Sequence, residues 1–341
     1  MTPENKPLVT VVTITFNLIK AGREKYFRQC LESVYNQSYD NIEHIIIDGA
    51  SSDGTVDLIK EYVDKGWIKY ISESDTGIYD AMNKGAKMAN GEYVAFLNSD
   101  DFYYDNYGIE KSIDELESSN ADFSYASANI LRENGSLYSK HPHTSPDIST
   151  IFFIMPFCHQ TMVARKNILI KEGFFDVNFK SAGDYELLIR LCLKQYKSVF
   201  IDSKFVTFRW GGFSISNNDL SINEVADAYY KNYSKITNIT KERCAKIYCS
   251  GYESFPRELA NKLVKHNPYF NYRRYIEEIS YKNSFRYKFL KTYSLIYSKI
   301  SFIIFFPKKF INKYLNKFLN SRLRQPARKI WYAIRFKNII K

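Results

Sequence analysis

Glu92-Tyr-Val-Ala-Phe-Leu97 runs directly into Asn98-Ser99-Asp100-Asp101. A short apolar run rich in aromatic and β-branched residues predicts a buried strand. It stops where carboxylates begin, so the strand opens onto a polar rim at its carboxyl end. Adjacent carboxylates repel one another unless a cation lies between them. Mg2+ and Mn2+ are hard cations that prefer carboxylate and phosphate oxygens. The same four residues also suit an Asx turn or a helix N-cap, and the rest of the chain must decide between these readings.

Upstream, two periodicities alternate. Residues 8–16 read as a strand, and residues 23–35 place Phe27, Leu31 and Val34 at helical spacing. Residues 43–48 form a short buried strand, and residues 55–63 a helix with Val56, Ile59 and Val63 on one face. Residues 67–72 are a third strand, and residues 78–89 a third helix that Asn90-Gly91 stops. The order β-α-β-α-β-α-β predicts a mostly parallel sheet flanked by helices on both faces. Ligands of such sheets gather beyond the carboxyl ends of the strands. Three of those ends are polar: Thr15-Phe16-Asn17, the stretch from Asp48 through Asp53 to Thr55, and Asn98 to Asp101.

Downstream the pattern is less regular. Residues 121–131 look like a strand, and Pro142, Pro146 and Pro156 punctuate a loop region. Residues 183–193 form a helix with Leu187, Leu188 and Leu191 on its apolar face, and residues 198–208 a further strand. From about residue 222 the chain reads as mainly helical. The expected division is a catalytic domain over residues 1–220 and a helical, basic, amphipathic region over residues 221–341.

Composition narrows the class. The chain has 341 residues, 45% of them hydrophobic and 16% aromatic, which supports a sizeable core and excludes wholesale disorder. Five scattered cysteines with no CxxC pair argue against a disulfide framework or a zinc ribbon and fit a reducing cytoplasm. The longest apolar region near the C-terminus, residues 295–306, is interrupted by Lys299 and is too short to span a bilayer. Charge is uneven: residues 257–341 carry 21 basic and three acidic side chains, a net +18, on a body of net −7. Ile311, Leu315, Phe318, Leu319 and Leu323 fall on one helical face of that tail. Basic amphipathic helices favour anionic membrane surfaces. Packing within the protein or an oligomer ranks second. Nucleic acid is a distant third and is not expected, since no recognisable module is present.

Several ordered motifs agree with one known family. Val-Thr-Ile-Thr-Phe-Asn near the N-terminus, Asp48-Gly-Ala-Ser-Ser-Asp53-Gly-Thr55, Glu73-Ser-Asp75-Thr-Gly77-Ile-Tyr79-Asp80-Ala-Met-Asn83-Lys-Gly85 and the Asp100-Asp101 site together resemble family 2 glycosyltransferases of the GT-A fold, over roughly residues 8–216. The resemblance implies that Thr15 and Asn17 line a nucleotide, that Asp48 holds the base or ribose, and that Asp75 and Asp80 belong to a donor-side motif. Asn98-Ser99-Asp100 matches the family's Asp-x-Asp motif, with Asn98 in place of its first acid. Asp100 is then the expected metal ligand, with Asp101 behind it or as an alternative ligand. The resemblance also implies Mg2+ or Mn2+, a nucleotide-sugar donor (a UDP-sugar), and inversion at the sugar carbon.

Bland readings stand beside these. Asp53 suits an N-cap for the helix at Thr55, Asn83 suits helix packing, and Gly77 and Gly85 suit turns or close backbone approach. Ser181-Ala-Gly-Asp184-Tyr-Glu186 opens an amphipathic helix, where an acid caps or complements the dipole. The resemblance makes Asp184 the catalytic base, with Tyr185 beside it. His159-Gln160 resembles a segment beside the donor or acceptor in some members, and a buried His satisfied by backbone is an equal reading. Trp210, before two glycines, suits either stacking on a sugar or a plain turn. The expected protein is a hexosyl- or N-acetylhexosaminyltransferase acting on a lipid-linked glycan in surface polysaccharide synthesis, at the inner face of the cell membrane. A nucleotidyltransferase and a silent nucleotide-sugar-binding scaffold are the alternatives.

Overall fold

The computed structural model describes residues 6–132, 134–138, 146–212, 217–250, 254–271 and 275. Residues 1–272 form one compact unit. The amphipathic tail beyond about residue 285 lies outside the described residues.

The first half alternates as the periodicities predict: β1 (Val9–Thr15), α1 (Glu24–Tyr35), β2 (Ile42–Asp48), α2 (Thr55–Asp64), β3 (Lys69–Ser72), α3 (Ile78–Met88) and β4 (Tyr93–Phe96). These four strands are parallel, in the order β3-β2-β1-β4. Side chains alternate across the sheet. Val9 and Val11 join the core that contains Cys30 and Val34 of α1, and Val12 faces α3. There Gly85 lies so close that an added Cβ would come within 2.3 Å of Val12 Cγ1. Helices therefore cover both faces.

The second half is mixed. Its elements are β5 (Phe102–Tyr103), α4 (Gly108–Ser119), β6 (Phe123–Leu131), β7 (Leu137–Tyr138), β8 (Val163–Arg165), α5 (Lys166–Lys171), α6 (Gly183–Leu193) and β9 (Ser198–Arg209). The sheet continues from β4 as β8-β6-β9-β5, with β7 on β6. Antiparallel pairing enters at β4–β8, while β6 and β9 pair in parallel. Among the described residues three helices follow: α7 (Asn218–Tyr233), α8 (Lys241–Ser250) and α9 (Arg257–His266). The compact unit runs to residue 272 and includes these helices. The reason is contact between α7 and α6: the Tyr229 and Tyr185 hydroxyls lie 2.7 Å apart, and Asn232 Nδ2 donates to Glu186 at 3.2 Å. Among the described residues no helix is long and apolar enough to cross a membrane.

Candidate active site

Parallel register sets the ends of β1, β2 and β3 side by side, pairing Thr15 with Asp48 and Asp48 with Ser72. Asp48 is fully buried. Its carboxylate accepts from Thr15 Oγ1 at 3.0 Å, Ser51 Oγ at 2.5 Å, Ser51 N–H at 2.9 Å and Ser72 Oγ at 2.7 Å. Four donors on one buried carboxylate lock the three strand ends together. Asn17, in the left-handed region at φ 46°, donates its N–H to Ser51 Oγ and accepts from Ser52 N–H. Between them the ring of Phe16 stands 64% exposed. Asp53 does not occupy the N-cap, which is Gly54; one residue earlier, it accepts from the amide and hydroxyl of Thr55 and from Lys20 N–H, bracing the loop into α2.

Asp75 and Asp80 organise the turn into α3. Asp75 Oδ1 accepts from Gly77 N–H at 2.9 Å, and Asp80 Oδ2 from Thr76 N–H at 3.0 Å. A Cβ on Gly49 would meet Asp75 Oδ2 at 2.6 Å, so Asp75 lies against the rim loop that follows Asp48. Asn83 packs inward, exchanging both amide bonds with the Phe175 backbone.

The turn after β4 separates two carboxylates. Asp100 is partly buried, its side chain 15% exposed, and Arg23 Nη1 stands 2.9 Å from its Oδ2. Asp101, expected as a possible second ligand, is turned inward and buried. Its oxygens accept from Arg209 N–H at 2.8 Å, Gln160 Nε2 at 2.8 Å and Asn98 Nδ2 at 3.3 Å. Burial first, and then the charge of Asp100, push the Asp101 carboxyl well above the usual carboxylate range. Asn98, in place of an acid, serves as a donor to Asp101. Ser99 is buried beside it.

Asp184 sits in the first turn of α6. Its Oδ1 accepts from Tyr79 OH at 3.0 Å and from Tyr185 N–H at 2.9 Å, and its Oδ2 faces His159 Nδ1 at 3.1 Å. Burial alone would raise this carboxyl. The hydrogen bond and charge of His159, then the Tyr185 amide and the Tyr79 hydroxyl, outweigh it and hold Asp184 below the usual range. Glu186 is fully buried and paired with Arg190 at 2.8 Å and Lys231 at 3.0 Å, a packing role away from the rim.

His159 and Gln160 lie in a single 3₁₀ turn, His159–Thr161. His159 reaches Asp184 while Gln160 reaches Asp101, so one turn ties the two acidic motifs together. The partner of His159 is a carboxylate, not the backbone. Tyr185 does not reach this site: its hydroxyl donates to Ile151 O at 2.7 Å inside the core, because residues one apart on a helix face different ways. Trp210 is half-buried, and its backbone N–H donates to Leu131 O at 2.8 Å. Arg23, Phe16 and Tyr79 were not singled out from the sequence. An aromatic at a rim and a tyrosine one turn before Asn83 were the available signals; nothing local points Arg23 at Asp100.

The architecture, a parallel half joined to a mixed half, is that of the GT-A glycosyltransferases. Residues 10–179 match the model of Glycosyl transferase family 2. TuaG of Bacillus subtilis, a putative teichuronic acid biosynthesis glycosyltransferase, is 31% identical over 219 residues, covering 62% of this chain and 83% of its own. An uncharacterized glycosyltransferase of Methanocaldococcus jannaschii is 28% identical over 254 residues, 72% of this chain and 83% of its own. The chain belongs to glycosyltransferase family 2. Two solved structures share the fold. S. aureus TarS residues 1–349 in complex with UDP-GlcNAc has TM-score 0.55 at 18% identity, covering 76% of this chain and 80% of its own. The Pyrobaculum calidifontis mannosyltransferase in complex with GDP-Man and Mn2+ has TM-score 0.56 at 14% identity, covering 85% and 84%.

Proposed function

We propose that this chain is an inverting glycosyltransferase that moves a hexose or N-acetylhexosamine from a UDP-sugar to a hydroxyl of a lipid-linked glycan in surface polysaccharide synthesis. The observation that carries this reading is the tie through His159-Gln160: an ionised, oriented Asp184 and the Asp100-Asp101 motif share one turn. Family membership decides against the nucleotidyltransferase. The names of the relatives support the pathway, and the UDP-GlcNAc and GDP-Man held by structures of the same fold support a nucleotide-sugar donor.

Asp184 takes the proton of the acceptor hydroxyl as its oxygen bonds to the anomeric carbon from the face opposite the departing phosphate. The bond from that carbon to the phosphate oxygen breaks, and the nucleoside diphosphate leaves with the electron pair. His159 and Tyr79 hold the carboxylate in its anionic, aimed state. Phe16 offers a flat face for a base at the end of β1, beside the loop that Asp48 pins.

Among the described residues no three His, Cys, Asp or Glu side chains gather into a metal cage. A divalent cation held largely by a diphosphate needs only one or two carboxylates. Asp100 fits, because it lies at the rim and already draws a cationic group, Arg23. Asp101 fits less well, since N–H donors occupy both its oxygens, and we assign it to holding the turn. A bound Mg2+ or Mn2+ would neutralise charge growing on the leaving diphosphate. The basic tail is assigned, from its sequence, to an anionic membrane surface.

The test is a screen of nucleotide sugars for release of free nucleoside diphosphate with Mg2+, Mn2+ or chelator. We expect metal-dependent release of UDP from one or a few UDP-sugars. Binding of nucleotide sugars without turnover on any glycan lipid would instead favour the silent scaffold.

A further inference from the structure

The helix that places Asp184 has no side-chain cap of its own: Ala182 occupies its N-cap position. A carboxylate from beyond the family-matched segment supplies what is missing. Glu224 of α7, itself buried, accepts from Lys180 N–H at 2.8 Å, Ser181 N–H at 2.7 Å and Ala182 N–H at 3.0 Å. Ser221, one turn earlier on α7, has its hydroxyl 2.6 Å from that of Ser181. Three consecutive backbone donors leading into α6 thus converge on one acid. An anion there is favoured further by the partial positive charge at a helix N-terminus.

The next residues carry that constraint to the site. Gly183 lets the Tyr79 ring approach within what would be 2.8 Å of a Cβ, and Tyr79 OH then reaches Asp184. Asp184 takes its remaining backbone bond from Tyr185 N–H. Farther along α7, Lys231 bonds Asp176 at 2.7 Å and Glu186 at 3.0 Å, clamping α6 from the same helix. The position of Asp184 is therefore over-determined from one side by α7 and from the other by His159 and Tyr79.

We infer that Glu224 is a positioning residue for turnover: it fixes the 180–182 turn so that Asp184 meets the acceptor hydroxyl, and α7 belongs functionally to the catalytic unit. This rests on the reading of Asp184 as the base. Misplacing an oriented catalytic group by about 1 Å can cost up to about 10²-fold in rate, whereas donor contacts on the β1–β4 side have no part in this turn. The replacement Glu224→Gln keeps size but exchanges an acceptor oxygen for a donor facing a backbone N–H.

The experiment is a double-mutant cycle of Glu224→Gln with Asp184→Asn in the full chain. It measures UDP release from the best UDP-sugar with Mn2+, UDP affinity by calorimetry, and thermal midpoints. We expect Glu224→Gln to lower kcat about 10- to 10²-fold with donor KM and UDP affinity unchanged. It should cost nothing further on the Asp184→Asn background, because it acts only through that carboxylate. Ser221→Ala, should Glu224→Gln fold poorly, should lower kcat a few-fold with the same dependence on Asp184. Equal losses on both backgrounds, or a kcat loss that only follows the folded fraction, would overturn the inference while leaving Asp184 as base. Full turnover by Asp184→Asn would overturn the base reading, and this inference with it.

Discussion

His159 Nδ1 stands 3.1 Å from Asp184 Oδ2, while Gln160, the next residue, donates to Asp101 Oδ2 at 2.8 Å. Two adjacent side chains leaving one turn in different directions thus link Asp184 to the turn that holds Asp100 and Asp101. Cys158 extends the link, since its thiol bonds the Gln160 carbonyl oxygen, which turns the amide nitrogen toward Asp101. That arrangement also makes His159 the main electrostatic support of Asp184.

Removing that support should be visible in the pH profile. The Asp184 carboxyl lies below its usual range because His159, Tyr185 N–H and Tyr79 outweigh burial. A base with a depressed folded pKa stays ionised, and active, as pH falls toward that value. In His159→Ala burial remains and the largest opposing partner is gone, so the acid limb of kcat should move to higher pH. Tyr79→Phe should move it the same way by less. At neutral pH the loss should be smaller than the ~10²–10⁴-fold expected of Asp184→Asn. The same sign holds for stability: the pairing stabilises the fold above the ordinary carboxylate range and is lost as pH falls. An acid limb unmoved by His159→Ala would disprove this role.

Two glycines separate packing from chemistry. Gly85→Ala would place a Cβ 2.3 Å from Val12 Cγ1, and Gly183→Ala one 2.8 Å from Tyr79 Cε2. Overpacking of this kind typically costs about 1–3 kcal/mol, read from urea denaturation. Both variants should be destabilised. Only Gly183→Ala should also lower kcat of the folded enzyme, because displacing the Tyr79 ring takes its hydroxyl from Asp184. Matching kcat values would show that Tyr79 does not matter to turnover.

The first half was legible because β1 to β4 and α1 to α3 differ sharply in period, and Gly54, Gly77 and Asn90-Gly91 mark several of the boundaries. The second half hid its topology in pairings two or three residues long, such as Phe102–Tyr103 and Val163–Arg165, which have no period to detect. α4 escaped for another reason: its buried line of Ile109, Ser112, Ile113 and Leu116 includes a serine, and Gly108 at its start lies against Phe205. Asp184 and Asp100 could be named from motifs. Their partners could not, because Tyr79 is 105 positions from Asp184 and Arg23 is 77 from Asp100. Long-range ion pairs leave no local trace in sequence. The inward turn of Asp101 is likewise a tertiary fact, set by Gln160 and the Arg209 amide.

The contact between Arg23 and Asp100 sets a competition for one carboxylate. Asp100→Asn should abolish metal-dependent UDP binding, measured by calorimetry with and without Mn2+, and leave the thermal midpoint near wild type. Arg23→Ala should strengthen binding of Mn2+ alone, read from the free-Mn2+ signal in electron paramagnetic resonance. Metal-stimulated UDP binding that survives in Asp100→Asn would remove Asp100 from the metal site.

The tail offers a test independent of the catalytic centre. Residues 257–341 carry net +18 with aromatic and aliphatic side chains interleaved among the charges. Each basic residue near an anionic leaflet contributes about 1 kcal/mol of attraction. Insertion of the tail's Phe and Ile side chains would add attachment that salt does not screen. Deleting residues from about 285 onward should move the protein from the floating to the sedimenting fraction with liposomes containing anionic lipid. The full chain should float less with neutral liposomes than with anionic ones. Its attachment should weaken as salt rises, since the Debye length falls from about 10 Å at 0.1 M to about 3 Å at 1 M. Activity on a lipid-linked acceptor should fall more in the truncated chain than activity on a short soluble mimic, because membrane attachment concentrates enzyme and acceptor on one surface. Equal flotation of the two chains would remove the membrane role and leave the tail as a packing or oligomer contact.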